Sequence, residues 1–322
     1  MKRPLPTVSF IAVTAIILSV ASAAAQGVTL RYRWNKGETL TYRMTILTSS
    51  VITGLPSLAE MKVDQTMTQV MTMAVEDVAA DGTSTVRQTF TSVKMEMNGP
   101  MGHIEYDTAA PATGGNPMVQ PLRQVLGQMV GESVTVVQAP DGTVRKVEGA
   151  SRLVDKILKS LPDDSSAQAA AQSLKSVLSD EALKSTLEQS FSRLPAADVK
   201  AGDTWDGEIS MGNAVAGRIG GTVKFTLKAV EGTPESGIAR IGVALALQQT
   251  TAAPPGPNGI VVKLGDARGA GEMLFDVAKG RIQKSTMKTD LPSTMTGKSP
   301  DGTAATMQNK TTTTMTMELV AK

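Results

Sequence analysis

MKVDQTMTQVMTMAVEDV, residues 61–78, alternates apolar and polar side chains almost without a break. Met61, Val63, Met67, Met71, Met73 and Val75 share one parity, and Lys62, Asp64, Thr66, Thr68 and Thr72 share the other. A strand sends successive side chains to opposite faces, so this period of two predicts a strand with one greasy and one wet side. Asp81-Gly82 follows, and then TSTVRQTFTSVKMEM, with Val93, Met95 and Met97 again in step. An Asp-Gly pair between two alternating runs predicts a hairpin, because glycine tolerates positive φ.

The same signature returns late in the chain. GTVKFTLKAV (221–230), IARIGVALALQQT (238–250), GEMLFDVAKGRIQKSTMKTDL (271–291) and TTTTMTMELV (311–320) read as strands, with turns at Lys279-Gly280 and Asp301-Gly302. Gly37-Glu38-Thr39 opens the first block and Gly202-Asp203-Thr204 opens the second. MAVEDVAADGTSTVRQ (73–88) also resembles LKAVEGTPESGIARIG (227–242), which leaves a duplication open. The Pro- and Gly-rich stretches 111–117 and 251–259 read as loops.

Between the blocks the period changes. Met118, Val119, Leu122, Val125, Leu126, Met129 and Val130 fall at helical spacing, and so do Leu153, Val154, Ile157, Leu158 and Leu161. A hairpin turning at Asp141-Gly142 separates them, and Leu183, Leu187 and Phe191 mark a last helix. The expected class is α+β: a large, strongly curved antiparallel sheet of about twelve strands, a half-barrel or open barrel, with a central helical insertion packed on its concave face. Residues 1–25 form a leader and 26–322 a single domain, divided into a first β block (26–114), a mainly helical segment with a hairpin (115–198) and a second β block (199–322). Trp205 is expected to be substantially buried at the sheet edge where the second block begins.

The leader sets the expected compartment. Lys2 and Arg3 precede an apolar run from Val8 to Val20, and the small residues Ala21 to Ala25 close it. That order is a secretory signal peptide, cleaved after Ala25, and predicts a secreted or periplasmic protein with no membrane span afterwards. Losing Lys2 and Arg3 leaves equal numbers of cationic and acidic side chains, which argues against nucleic acid as a partner. No cysteine is present, so disulfides and thiolate chemistry are excluded. Aromatics make up only 3%, too few for a sugar platform or for the aromatic girdles of an outer-membrane barrel.

Three stretches carry a family resemblance: LRYRWNKGETLTYRM (30–44), DGTVRKVEG (141–149) and LPAADVKAGDTW (194–205). They resemble a family of uncharacterised secreted bacterial proteins grouped as a domain of unknown function. The resemblance implies the same β–α–β architecture and supplies no catalytic residue.

Candidate chemistry is sparse. His103 is the sole histidine and lies beside Gly and Pro residues with no partner motif. Ser285 and Lys288 match S-x-x-K, but strand parity sends them to opposite faces. Asp203, Asp206 and Glu208 cluster near a turn, where acids are usually solvated. The expectation is therefore a protein that is not an enzyme and has no cofactor. Methionine is the distinctive residue, at 18 in the chain. The pairs Met71/Met73, Met95/Met97 and Met315/Met317 put thioethers on one face, and soft sulfur suits Cu(I), yet Met also fills irregular apolar cores. Three readings stay open: an apolar cavity holding a lipophilic molecule, a structural or envelope-protein interaction module with a filled core, and Met-based copper binding. For the first, the lining candidates are Met71, Met73, Met95, Met97, Leu122, Leu126, Leu153, Ile157, Met315 and Met317.

Overall fold

The computed structural model describes residues 27–55, 58–100, 102–110, 126–160, 179–180, 183–184, 187, 193–213, 216–256, 259–298 and 304–320. The alternating runs form strands as their period requires. In the first block they are β1 (Thr39–Leu55), β2 (Leu58–Val78), β3 (Ser84–Gly99) and β4 (Gly102–Asp107), and the hairpin of the central segment gives β5 (Ser133–Gln138) and β6 (Val144–Glu148). The helix α1 (Ala150–Ser160) follows, and then β7 (Thr204–Asn213), β8 (Gly217–Glu231), β9 (Ile238–Thr251), β10 (Val261–Leu264), β11 (Ala267–Asp276), β12 (Arg281–Lys298) and β13 (Ala304–Val320). All belong to one sheet in the order β6-β5-β3-β2-β1-β13-β12-β11-β9-β8-β7, with β4 beside β3 and β10 beside β12. Each pairing is antiparallel, and the two blocks join where β1 meets β13.

The α+β expectation needs correcting in proportion. The described residues are predominantly antiparallel β, and continuous helix among them is confined to residues 126–129 and α1. Leu153, Val154 and Ile157 lie on the buried stripe of α1 as their spacing required. Asp180 caps that helix, its Oδ1 accepting from the Ala150 and Ser151 amides at 2.9 and 3.4 Å. Leu183 and Leu187 pack against the main core, and Leu126 packs, as Met97 does, against the pair Ile104 and Tyr106. The leader, residues 111–125 with Leu122 and Val125, residues 161–178, Phe191 and the turn at Asp301-Gly302 lie outside the described residues.

One segment that reads as period two is not a sheet strand. Val28, Leu30, Tyr32 and Trp34 are all buried, while Gly27, Thr29 and Arg33 between them are exposed. They form a strap across one end of the sheet, the end holding the β2–β3, β5–β6 and β11–β12 turns. Val28 bridges Val199 just before β7, and the Tyr32 amide donates to the Pro140 carbonyl at 2.7 Å. The next amide, Arg33, donates to the Gly280 carbonyl at 3.0 Å. Adjacent amides are about 3.5 Å apart, so these bonds bring the ends of β5 and β12 within roughly 20 Å. Along the sheet those strands are separated by five steps of about 4.8 Å, or roughly 24 Å. Tyr32 also meets Phe275 edge-on at 5.6 Å, and the Trp34 indole donates to Gln138 Oε1 at 3.2 Å.

The two block openings share one hydrogen-bond network. Gly37 N donates to Val75 O, Val75 N donates to Glu38 O, and Glu38 N closes a turn on Asn35 O. Gly202 N donates to Leu227 O, Leu227 N donates to Asp203 O, and Asp203 N closes a turn on Lys200 O. Both glycines sit at positive φ, 83° and 95°, which a side chain would strain. A bulge follows Val75 in one copy and Leu227 in the other. Val75 therefore corresponds to Leu227, not to Val230, although Val75-Glu76 and Val230-Glu231 each precede a turn.

Glu38 ties its opening to the far side of the strap. Arg281, 6% exposed, grips it with two hydrogen bonds of 2.7 and 3.2 Å. Burial alone would raise the Glu38 carboxyl, but the hydrogen bond and charge of Arg281, helped by Asn35, hold it below the usual glutamate range. Nearby, burial pushes the Tyr42 phenol up to about 12, so it stays protonated and donates to Ile282 O at 2.9 Å.

Two outcomes follow. Leu30→Ala empties a fully buried site on the strap and lowers unfolding free energy by about 3 kcal/mol in urea titration. Glu38→Gln leaves Arg281 buried without its anion and costs about 3 kcal/mol at neutral pH. Because the folded carboxyl titrates low, the pair's contribution is present above the usual glutamate value of 4.5 and is lost as pH falls through the depressed one. The variant's pH–stability curve is accordingly flatter than the parent's below that value.

Candidate functional site

Charge is sorted between the two faces of the four longest strands, β1, β2, β12 and β13, beyond the buried Arg281–Glu38 pair at the strapped end. The register aligns Met73, Leu40 and the buried core with one parity of each strand. Over the paired stretches 40–53, 60–73, 284–298 and 304–320 that side carries no Asp, Glu, Lys, Arg or His. The opposite side holds Arg43, Lys62, Asp64, Lys288, Asp290, Lys310 and Glu318, together with a dense run of Thr. Burying an unpaired charge is far costlier than burying a hydroxyl or amide, so such sorting follows wherever one face is removed from bulk water.

Burial along the uncharged face is uneven. At the strapped end Leu40, Tyr42, Met73, Met273 and Phe275 are buried. Further along the strands the same face grades from buried Val93 and Met95 on β3 to half-buried positions on β2, β1 and β12. There Met95 pairs with Met67, Met67 with Ile46, Ile46 with Met315, and Met315 with Met287. This row forms an apolar belt across five strands, and Met315 within it is 38% exposed. The next row distally changes character: Gln65 faces Thr48, Thr48 faces Thr313, and Thr313 faces Thr289.

Nine of the ten expected lining residues lie among the described residues. Met73 and Met95 are buried, Met71, Met97 and Met317 are half-buried, and Met315 is exposed, all on the uncharged face. Leu126 and Met97 both pack against the pair Ile104 and Tyr106, whereas Leu153 and Ile157 are buried on α1. Leu122 lies outside the described residues. The M-x-M pairs share a face but not a point. Met95 and Met315 are three strand steps apart, about 14 Å, whereas two ligands on one ion each need a bond of about 2.3 Å. Sequence reasoning missed Met67, Met287 and Ile46 as belt members, because same-strand pairs drew attention away from cross-strand neighbours.

Two clefts lie elsewhere. One of about 630 Å³ takes in Leu245, Leu247, Ala267 and Gly269 from the apolar side with Lys224 and Arg268 from the other. A smaller one of about 260 Å³ lies by Val51, Pro292 and Asn309. None of the expected lining residues borders either cleft.

The polar candidates occupy surface positions. His103 is exposed, with Nδ1 2.8 Å from Asn98 Oδ1 and Nε2 3.7 Å from Glu105. Ser285 faces Met317 and Lys288 faces Thr314, on opposite sides of β12 as parity required. Asp203 accepts from the Lys200 amide at 2.9 Å, and Asp206 and Glu208 are exposed on the edge strand β7, where charge discourages strand addition. Trp205 is half-buried on that strand, stacked on Phe225 at 5.5 Å and donating to Arg193 O at 2.7 Å. Among the described residues no three His, Cys, Asp or Glu side chains form a group that could hold a metal ion, and no helix is long and apolar enough to cross a membrane.

Comparison with known proteins adds a family match over part of the chain. Residues 81–236 match the model described as "Family of unknown function (DUF6263)", which takes in 141–149 and 194–205 and stops short of 30–44. No curated protein matches. Among solved structures, one described as "lipid-protein interactions in lipovitellin" is 8% identical, with a TM-score of 0.45, over 89% of this chain and 25% of that one. The chain thus spans a quarter of the length of that lipovitellin chain. DynF from Micromonospora chersina is 8% identical at a TM-score of 0.18, covering 94% and 92% of the two chains. An outer membrane channel from Pseudomonas putida F1 is 7% identical at 0.21, covering 94% of this chain and 100% of that one. Likeness at these scores carries no functional weight.

His103→Ala tests whether that side chain does more than decorate a turn. Its exposed contacts predict a change in unfolding free energy within about 0.5 kcal/mol.

Proposed function

We propose that the protein is a non-catalytic, exported binding protein whose sheet curls into a half-barrel and carries a lipophilic molecule on its concave face. The strap supports the curvature, since it spans a chord shorter than the path along the strands and lies against the apolar side. Leu126, Leu183 and Leu187 support placing the central segment on that same side. Export rests on the leader pattern at residues 1–25. The one observation that carries the binding reading is the belt: an uncharged row of thioether and aliphatic groups that runs from buried Met95 through half-buried Met67, Ile46 and Met287 to exposed Met315. Met side chains there adapt to ligands of varied outline, because the unbranched thioether has many low-energy shapes.

The test is an environment-sensitive apolar dye, N-phenyl-1-naphthylamine, titrated into gently purified and then delipidated mature protein. Saturable enhancement is expected for the parent. Met315→Lys puts a cation in the belt and weakens binding about tenfold or more, while Leu47→Lys, on the opposite face and 48% exposed, leaves it unchanged. Absence of saturable enhancement in the parent overturns the proposal and favours a filled core.

A further inference from the structure

Resting on that reading, we infer that the ligand is an uncharged amphiphile, an apolar body bearing a hydroxyl or amide head. The belt meets only half of such a molecule's needs. One row further along the strands, Gln65, Thr48, Thr313 and Thr289 stand side by side on the same face. All are half-buried, and among the described residues none of these side chains makes a hydrogen bond. The row beyond is mixed: Ser50 and Thr311, whose hydroxyls lie 3.1 Å apart, stand between Val63 and Leu291. Polar groups on a core-facing side are normally paired, because an unmet donor or acceptor away from water is unfavourable. An unpaired row beside an apolar belt is therefore a surface made for neutral hydrogen bonding.

The charge pattern narrows the class. No cation faces this row from β1, β2, β12 or β13, so a carboxylate or phosphate head placed here would lose water and gain no counter-charge. Hydroxyls and amides both donate and accept, and suit a glycerol, alcohol or amide head equally. The orientation is fixed as well: the apolar body lies toward the strapped end against Met67, Ile46 and Met315, and the head lies distally.

The experiment compares three probes sharing one apolar body: 1-monomyristoylglycerol, myristate and 1-myristoyl-lysophosphatidic acid, each displacing the apolar dye from the parent protein below its critical micelle concentration. The monoacylglycerol is expected to displace at a concentration about tenfold lower than either anion. A double variant, Thr289→Val with Thr313→Val, keeps volume and strand propensity and removes the hydroxyls. It is expected to lose the preference for the monoacylglycerol, whose displacement concentration rises to that of the anions. Equal or tighter displacement by the anions overturns this inference and leaves the lipophile reading standing. Dye binding with no displacement by any of the three overturns it too. Failure of the dye itself to bind removes the underlying reading, a result distinct from both.

Discussion

A single wide sheet has two faces and nothing of its own to cover the apolar one. In a sandwich a second sheet does that work. Here the strap from Val28 to Trp34 does it at one end, sending four buried side chains onto the sheet and bonding to turns that belong to distant strands. Removing that end of the apolar face from water is worth about 1.5–3 kcal/mol for each large side chain fully buried, and the strap both contributes such side chains and shelters those of the strands. Every other feature of the molecule is arranged around where this cover begins and where it stops.

The gradient of burial follows directly. Near the strap, Leu30, Leu227, Ile241 and Phe275 are fully enclosed, and the ionised groups that approach, Arg281 and Glu38, do so as a hydrogen-bonded pair. Strands of 17 to 21 residues such as β1, β2 and β13 run well past this zone. Their distal halves keep the charge sorting of a buried face without the burial. A sheet built only to be solvated on both sides has no reason to keep Lys, Arg, Asp and Glu off one of them. Retaining that asymmetry over Met61, Val63 and Leu291 is what the proposed binding of a lipophile requires.

How much of this was legible follows from what a period can encode. Alternation in residues 61–78 and 83–97 gave strands, parity and a turn, because each depends only on near neighbours in sequence. Spacing in Leu153, Val154 and Ile157 gave a helix for the same reason. Register is a relation between strands, so the belt of Met95, Met67, Ile46, Met315 and Met287 could not be assembled from motifs within one strand. The repeated openings are the instructive case. Gly37-Glu38-Thr39 and Gly202-Asp203-Thr204 were visible as an echo, and the backbone bonds they make are the same. Within the longer similarity, matching Val75-Glu76 to Val230-Glu231 sets Val75 against Val230, because residues before turns converge easily. The hydrogen bonds align Val75 with Leu227, since the backbone tolerates different side chains at one place in a ladder.

The choice of methionine for the belt also has a physical logic. A row of Phe or Leu at the margin of the covered zone would present rigid or branched apolar surface to water and invite association between copies. Met gives apolar area with a polarizable, easily re-shaped surface, and Thr and Gln next to it keep the adjoining strip wet when no ligand is present. Copper chemistry would instead concentrate sulfur at one point, and the sheet spreads its M-x-M pairs over β2, β3 and β13. Spreading is what contact with an extended molecule requires. The same row that continues the core of the protein at one end can thus continue a ligand at the other, with the Thr48–Thr313–Thr289 strip marking where apolar contact gives way to hydrogen bonding.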